Sequence, residues 1–377
     1  MHALTDEPRP RPLVSIPLAP PVRRTPPYTF DDDDDDDDDE RDVPPKRWYH
    51  YIPLCCAIFL LLAFHPSLLI MLVNYHLRTL RSPLRFCVHL FVTYTLSFLA
   101  FSSLIAVLTR DPGPVIGKKT ETDTRDEDMG FMQALMDTGD VTDHPPGKWC
   151  GKCSSSKPER AHHCSSCGRC VLKMDHHCGW LGKCIGHRNY TSFIHLLTCI
   201  TLLALYVAML SISAVYYAFT NPLSIDEKTP LHELFLTFLG LVVSLVIGAF
   251  WVYHIYLAST NQTTLENLSP FLLLREVPSL PPSSGQNTLS NPPQEHELSS
   301  KQRRLVRDAH NYIRLYDLGW RKNWTQLIGW RRPWGWLWRL TIGGGGVGDG
   351  RTFLRNPRAD EMLARLAVRL VEVEKDH

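Results

Sequence analysis

Seven cysteines fall between Cys150 and Cys184: Cys150-x2-Cys153, then His163-Cys164-x2-Cys167-x2-Cys170, then Asp175-His176-His177-Cys178, and finally Cys184. Structural zinc sites take four Cys or His ligands in a closed tetrahedron, and short Cys-x2-Cys spacings supply them. Six of these cysteines with two histidines complete two such sites. One thiol, Cys178, is then left over beside His176 and Asp175, the pattern of a nucleophile with a base and an orienting carboxylate. A free thiol is ionised only to a few per cent at neutral pH, so an imidazole able to take its proton matters. The competing reading makes Asp175 and His176 polar surface residues of a zinc finger and Cys178 a bystander.

What must position these residues is visible in the distribution of charge. The chain has 377 residues, 44% of them hydrophobic, and a formal charge of +1. Those averages describe an ordinary soluble protein, but polarity comes in blocks. Residues 48–77, 86–109, 189–225 and 234–265 contain no Asp, Glu, Lys or Arg. Each exceeds the roughly 20 residues needed to cross a hydrocarbon core. The expected fold class is an all-α polytopic membrane protein. Its four transmembrane helices lie near 51–73, 86–108, 192–219 and 234–257, with a small cytosolic two-zinc domain between helices 2 and 3. Paired intramembrane carboxylates or basic rows, the marks of an ion path, are missing from these stretches.

Residues 1–30 lack the apolar core of a signal peptide, so the first helix is expected to enter the membrane and leave the N-terminus in the cytosol. Loop charges support this only in part: Arg110, Lys118, Lys119, Lys173, Lys183 and Arg188 flank the cysteines, but Arg78, Arg81 and Arg85 lie on the opposite side. Reduced, metal-bound thiols decide for the cytosol, where disulfides are disfavoured. Both termini and the 110–190 loop are placed there. Under this topology none of Asn189, Asn261, Asn267 and Asn323, each in an Asn-x-Ser/Thr triplet, should carry glycan.

Outside the spans, residues 1–47 read as a disordered tail carrying the acidic run Asp31–Asp39. Residues 110–148 form a polar connector, 149–191 the cysteine-rich domain and 192–258 the second pair of spans, followed by 259–276. Residues 277–300 are a Pro/Ser-rich linker. The 301–377 tail is basic and Trp-rich: its first forty residues hold ten Lys or Arg against two Asp, and six of the chain's ten Trp. That mixture suits a lipid headgroup zone; nucleic-acid binding could use the same composition, but four spans upstream favour the membrane interface.

The cysteine stretch resembles the cysteine-rich domain of DHHC-type protein S-acyltransferases, the membrane palmitoyltransferases. The similarity runs through Lys157-Pro158-x-Arg160, the ligand spacings above, Asp175-His176-His177-Cys178-x-Trp180 and Cys184-x-Gly186-x2-Asn189-x3-Phe193. Thr263-Thr264-Leu265-Glu266 is similar to the family's Thr-Thr-x-Glu motif, and Tyr316-x2-Gly319-x3-Asn323-x5-Gly329 to its C-terminal aromatic motif. Two spans before the domain and two after it also fit.

Spacing alone does not say which ligands share a metal. The resemblance implies Cys150, Cys153, His163 and Cys170 at one zinc, and Cys164, Cys167, His177 and Cys184 at the other. It implies Cys178 as acyl carrier, His176 as its base and Asp175 as the group orienting that base. The implied reaction is ping-pong transfer of a long-chain acyl group, palmitoyl foremost, from acyl-CoA through acyl-Cys178 to membrane-proximal cysteines of proteins at the cytosolic face. The implied setting is a multi-pass protein of the endomembrane system, with two structural zinc ions and palmitoyl-CoA as co-substrate. Two positions depart from the family: Gly179 stands where it usually has Pro, and Lys183 where it usually has Asn. Lys183 and Arg188 are candidate contacts for CoA phosphates. Thr263, Thr264 and Glu266 either dock the zinc domain or merely cap the fourth span. Cys55, Cys56, Cys87 and Cys199 are read as small packing residues, with Cys55 and Cys56 open to acylation. A membrane-anchored zinc adaptor without catalysis is the rival function.

Overall fold

The computed structural model describes residues 48–115, 149–221, 229–280, 289–290, 292–329 and 346–375. The acidic run Asp31–Asp39, nearly all of the 110–148 connector, and Trp330, Trp334, Trp336 and Trp338 lie outside the described residues.

Four helical segments are long and apolar enough to cross a bilayer: Trp48–Thr79, Pro83–Thr109, Tyr190–Thr220 and Pro230–Thr260. The first is built on α1 (Ile52–Leu72), which begins with Pro53 in its first turn and ends in a π-helical turn at Val73–Thr79. The others are α2 (Pro83–Thr109), α3 (Tyr190–Thr220) and α4 (Thr229–Thr260). All four are apolar around most of their circumference, as lipid-facing helices must be. Helix α3 is the central span, packed against both α2 and α4. Lipid offers no hydrophobic drive for helix pairing, so close approach depends on small residues. At the α3–α4 contact, a side-chain carbon on Gly240 would stand only 3.0 Å from the Ala204 carbonyl and the Ala208 methyl.

The metal-binding segment is not helical. It consists of three two-stranded antiparallel hairpins: β1 (Trp149–Cys150) with β2 (Ser155–Ser156), β3 (His162–Cys164) with β4 (Arg169–Val171), and β5 (His176–Cys178) with β6 (Lys183–Ile185). The expected all-α class thus holds for the membrane part and the tail, and the hairpins are an addition to it. Two-residue and three-residue strands are unstable alone. Metal ligation, with each donor set drawn from two successive hairpins, would supply what a segment this short cannot obtain from an apolar core.

After α4 the chain makes one short helix, α5 (Thr264–Leu268), whose Thr263 and Glu266 form a reciprocal capping box. Beyond it, α6 (Ser300–His310) and α8 (Pro357–Lys375) enclose their own apolar core, including Leu274, Val306, Ile313, Leu363 and Leu370. The 277–300 segment was expected to be a flexible linker. Its described end is not free chain: Leu298 is buried in this core, and Leu289 packs against it. Between them α7 (Trp320–Ile328) starts at Gly319 and stops at Gly329, with φ of 93° and 70°. Both lie in the left-handed region that glycine adopts without penalty, which explains the two glycines of the aromatic motif.

A buried cation, Arg160, helps join the zinc domain to the end of α4. Arg160 grips Glu266 with two parallel bonds, Nε to Oε1 at 2.6 Å and a terminal nitrogen to Oε2 at 2.7 Å. It also donates to the side chain and carbonyl of Asn261 at 3.1 and 2.9 Å, and lies 4.1 Å over the Tyr316 ring. Its side chain is 1% exposed. Truncating one member of a buried, fully bonded pair costs roughly 3–5 kcal/mol, because the other charge is stranded. Arg160→Ala should therefore lower the melting temperature in detergent and open the zinc domain to protease while leaving the spans intact. A melting temperature equal to that of the parent protein would contradict this docking role.

Candidate active site

The structure brings two sets of donor atoms together, Cys150, Cys153, His163 and Cys170 in one and Cys164, Cys167, His177 and Cys184 in the other, each within 4.8 Å of one another. In the first, His163 Nδ1 is 3.6, 3.2 and 3.9 Å from the sulfurs of Cys150, Cys153 and Cys170. In the second, His177 Nδ1 is 3.5, 3.4 and 3.6 Å from those of Cys164, Cys167 and Cys184. A tetrahedral ion with metal–sulfur bonds near 2.3 Å and metal–nitrogen bonds near 2.0 Å has S···N edges of roughly 3.5 Å. The donor sets therefore fit two four-coordinate metal ions with no open position for substrate.

Strand register explains how the second cluster sets the spare thiol. His177 pairs with Cys184 across the β5–β6 hairpin, and Cys178 with Lys183. Successive residues of a strand face opposite sides. With His177 turned to the metal cluster, His176 and Cys178 share the other face. The consecutive histidines are thus divided by the pleat: one is a ligand and its neighbour stands beside the thiol.

His176 Nδ1 is 2.7 Å from Asp175 Oδ2, and Cys178 lies on the same strand face as the imidazole. Burial opposes a charged imidazole, but Asp175 and Cys178 outweigh it and raise the His176 pKa to about 9. Asp175 is 2% exposed and would by burial alone be raised. Its bonds to His176 and to the Thr264 amide hold it below the ordinary carboxylate range instead. The Thr264 N–H donates to Oδ1 at 2.9 Å and its hydroxyl to Oδ2 at 2.7 Å. The Thr263–Glu266 segment therefore docks the zinc domain, and its capping box closes the start of α5 and not the end of the fourth span.

Cys178 packs against an apolar cluster that joins Leu181 and Ile185 of the β5–β6 region to Leu104, Phe193 and Leu197 of the helices, and Leu54 and Ile58 of α1 pack against the same cluster. A thiol so placed can be reached by a thioester whose acyl tail lies among the helices. The two departures from the family have different surroundings. A side-chain carbon at Gly179 would meet nothing within 4 Å. Lys183 donates from Nζ to the Leu108 carbonyl at 2.6 Å, placing a cation at the C-terminal end of α2, where it complements the helix dipole. The remaining thiols are dispersed: Cys55, Cys56 and Cys87 are exposed on helix surfaces, and Cys199 is buried beside His195.

Sequence reasoning missed His254. This residue of α4 is fully buried, and one of its ring nitrogens lies within 4.8 Å of an Asp175 oxygen and a His176 nitrogen. The available signal was a lone imidazole in the uncharged stretch 234–265.

Residues 143–270 match the family described as DHHC palmitoyltransferase. Palmitoyltransferase PFA3 of Gibberella zeae is 31% identical over 256 residues, covering 55% of this chain and 46% of the relative. Palmitoyltransferase PFA3 of Candida glabrata is 37% identical over 181 residues, 48% of each chain. Palmitoyltransferase ZDHHC20 of Homo sapiens is 32% identical over 120 residues, 32% of this chain and 33% of the relative. The chain thus spans less than half the length of these relatives. With its cysteine-rich hairpins between the second and third of four apolar helices, the chain carries in residues 143–270 a segment that matches the DHHC palmitoyltransferase family.

Proposed function

We propose that the protein is a protein S-acyltransferase that moves a long-chain acyl group, palmitoyl foremost, from acyl-CoA to cysteine thiols of other proteins. The observation that carries this reading is the 2.7 Å Asp175–His176 hydrogen bond, with His176 and Cys178 together on the strand face opposite His177. In the first half-reaction His176 takes the Cys178 proton, and the thiolate attacks the thioester carbonyl. The carbon–sulfur bond to CoA breaks, and the CoA thiolate leaves with the proton returned by His176. A substrate thiol then attacks acyl-Cys178 by the same exchange in reverse. One thioester replaces another at each step, so no nucleotide need be consumed.

The membrane setting supports the choice of donor. Burying the methylenes of a palmitoyl chain is worth on the order of 10 kcal/mol at about 0.8 kcal/mol each. Cys178 lies against the apolar cluster that could receive such a chain. Two zinc ions in the clusters would be structural: each would be fully ligated by protein, and the second would hold His177 and Cys184 on either side of the reacting sulfur. Substrates would be proteins whose cysteines lie close to the cytosolic membrane face, with the site and both termini on that side of an endomembrane.

Incubation of purified protein with labelled palmitoyl-CoA should give a hydroxylamine-sensitive adduct that Cys178→Ser lacks. Equal labelling of both forms would remove Cys178 from the reaction, and no labelling of either would favour a metal-stabilised adaptor. The two neighbouring histidines should separate cleanly. His176→Ala should slow acylation by roughly 10²–10⁴-fold while both metals stay bound. His177→Ala should lose the second metal and unfold its hairpin, as metal analysis of the purified variants would register. Loss of metal from His176→Ala would reverse the assignment.

A further inference from the structure

His254 is buried at the junction of the helices and the zinc domain, with 0% of its surface exposed. Its Nδ1 is 3.3 Å from the Tyr190 hydroxyl, and its Nε2 has no hydrogen-bond partner among the described residues. Enclosing a polar ring nitrogen without a partner carries a cost that an apolar residue would avoid. Aromatic packing alone does not call for an imidazole here, since Phe193 and Phe250 already stand edge-on to it at 5.2 and 4.5 Å between ring centres.

The same two phenylalanines also meet the His176 ring edge-on, at 5.4 and 6.4 Å, and the two imidazoles are 5.8 Å apart. His176 therefore sits in a box with three aromatic walls, of which only His254 carries polar atoms. One of those nitrogens lies within 4.8 Å of both Asp175 and His176, and no hydrogen bond joins His254 to either. Bonds of this kind often tighten only when substrate is bound. A third metal site is the other use of such a trio. Both Asp175 oxygens already accept from Thr264 or His176, however, and a metal would have to break those bonds.

We propose that His254, anchored by the Tyr190 phenol, is a positioning residue whose ring nitrogens hold the Asp175–His176 pair in line with Cys178 during acyl transfer. The inference rests on the acyltransferase reading. Within it, His254 touches neither acyl donor nor thiol and acts through the pair.

The test is single-turnover acylation of Cys178 by palmitoyl-CoA, with bound metal measured in each variant. His254→Phe keeps a ring but removes both nitrogens. It should lower the maximal rate about tenfold or more, leave the half-saturating palmitoyl-CoA concentration unchanged, and retain both metals. His254→Gln restores a polar nitrogen and should recover most of the lost rate. Tyr190→Phe leaves the imidazole in place and should cause a smaller loss in the same rate; it decides the matter if His254→Phe fails to fold. The proposal is overturned if His254→Phe reacts at the parent rate, if His254→Gln is as slow as His254→Phe, or if the change appears in half-saturation instead of maximal rate. Should the parent protein take up no acyl group, the acyltransferase reading fails with it. Parent-like acylation by a folded His254→Phe defeats this inference alone.

Discussion

The site depends on a single carboxylate. Asp175 accepts two hydrogen bonds from Thr264, just past the end of α4, and a third contact from His176 on β5. It thereby joins the metal-stabilised hairpins to the membrane helices and fixes the imidazole at the same time. A buried carboxylate left unpaired would be costly, and its partners come from two separate parts of the chain. The zinc domain can satisfy Asp175 only when it is seated on the helical core. The Arg160–Glu266–Asn261 cluster fixes the same junction from the other side, so docking and site geometry are one constraint.

The metals and the strand pleat complete this logic. In the proposed reaction a thiol must be held firmly without being ligated, since a zinc-bound sulfur would be a poor carrier of acyl groups. Placing the ligand His177 between His176 and Cys178 on a strand solves the problem. A metal held by His177 would immobilise the backbone, and the alternation of side chains turns the thiol away from that cluster. Lys183 adds a tie of the hairpin to α2, so its departure from the family pattern brings a bond of its own. At Gly179 the surrounding space is open, and the departure there removes no contact.

Much of this was legible in the sequence, for identifiable reasons. Spans depend on local composition, and uncharged runs located all four within a few residues of their observed ends. The odd cysteine was a matter of arithmetic. What the sequence left open was long-range partnership. Thr264 carries no mark of its bond to Asp175 across 89 positions of chain, nor Arg160 of its bond to Asn261 across 101. The hairpins went unforeseen because strands of two or three residues have too few positions to show an alternating pattern. The core formed by α6 and α8 went unforeseen because an apolar stripe on a helix, clear as it is on both, does not say which element covers it. His254 was passed over because attention to charged residues in the spans overlooks a neutral imidazole.

The central claim is that an acyl group passes through Cys178. The most direct measurement is to load the purified protein with labelled palmitoyl-CoA, remove all free and released CoA species, and add a cysteine peptide bound to lipid vesicles. The account predicts that label leaves the protein and appears on the peptide thiol with no acyl-CoA present. Label that stays on the protein, or that reaches the peptide only when acyl-CoA is supplied again, would contradict it.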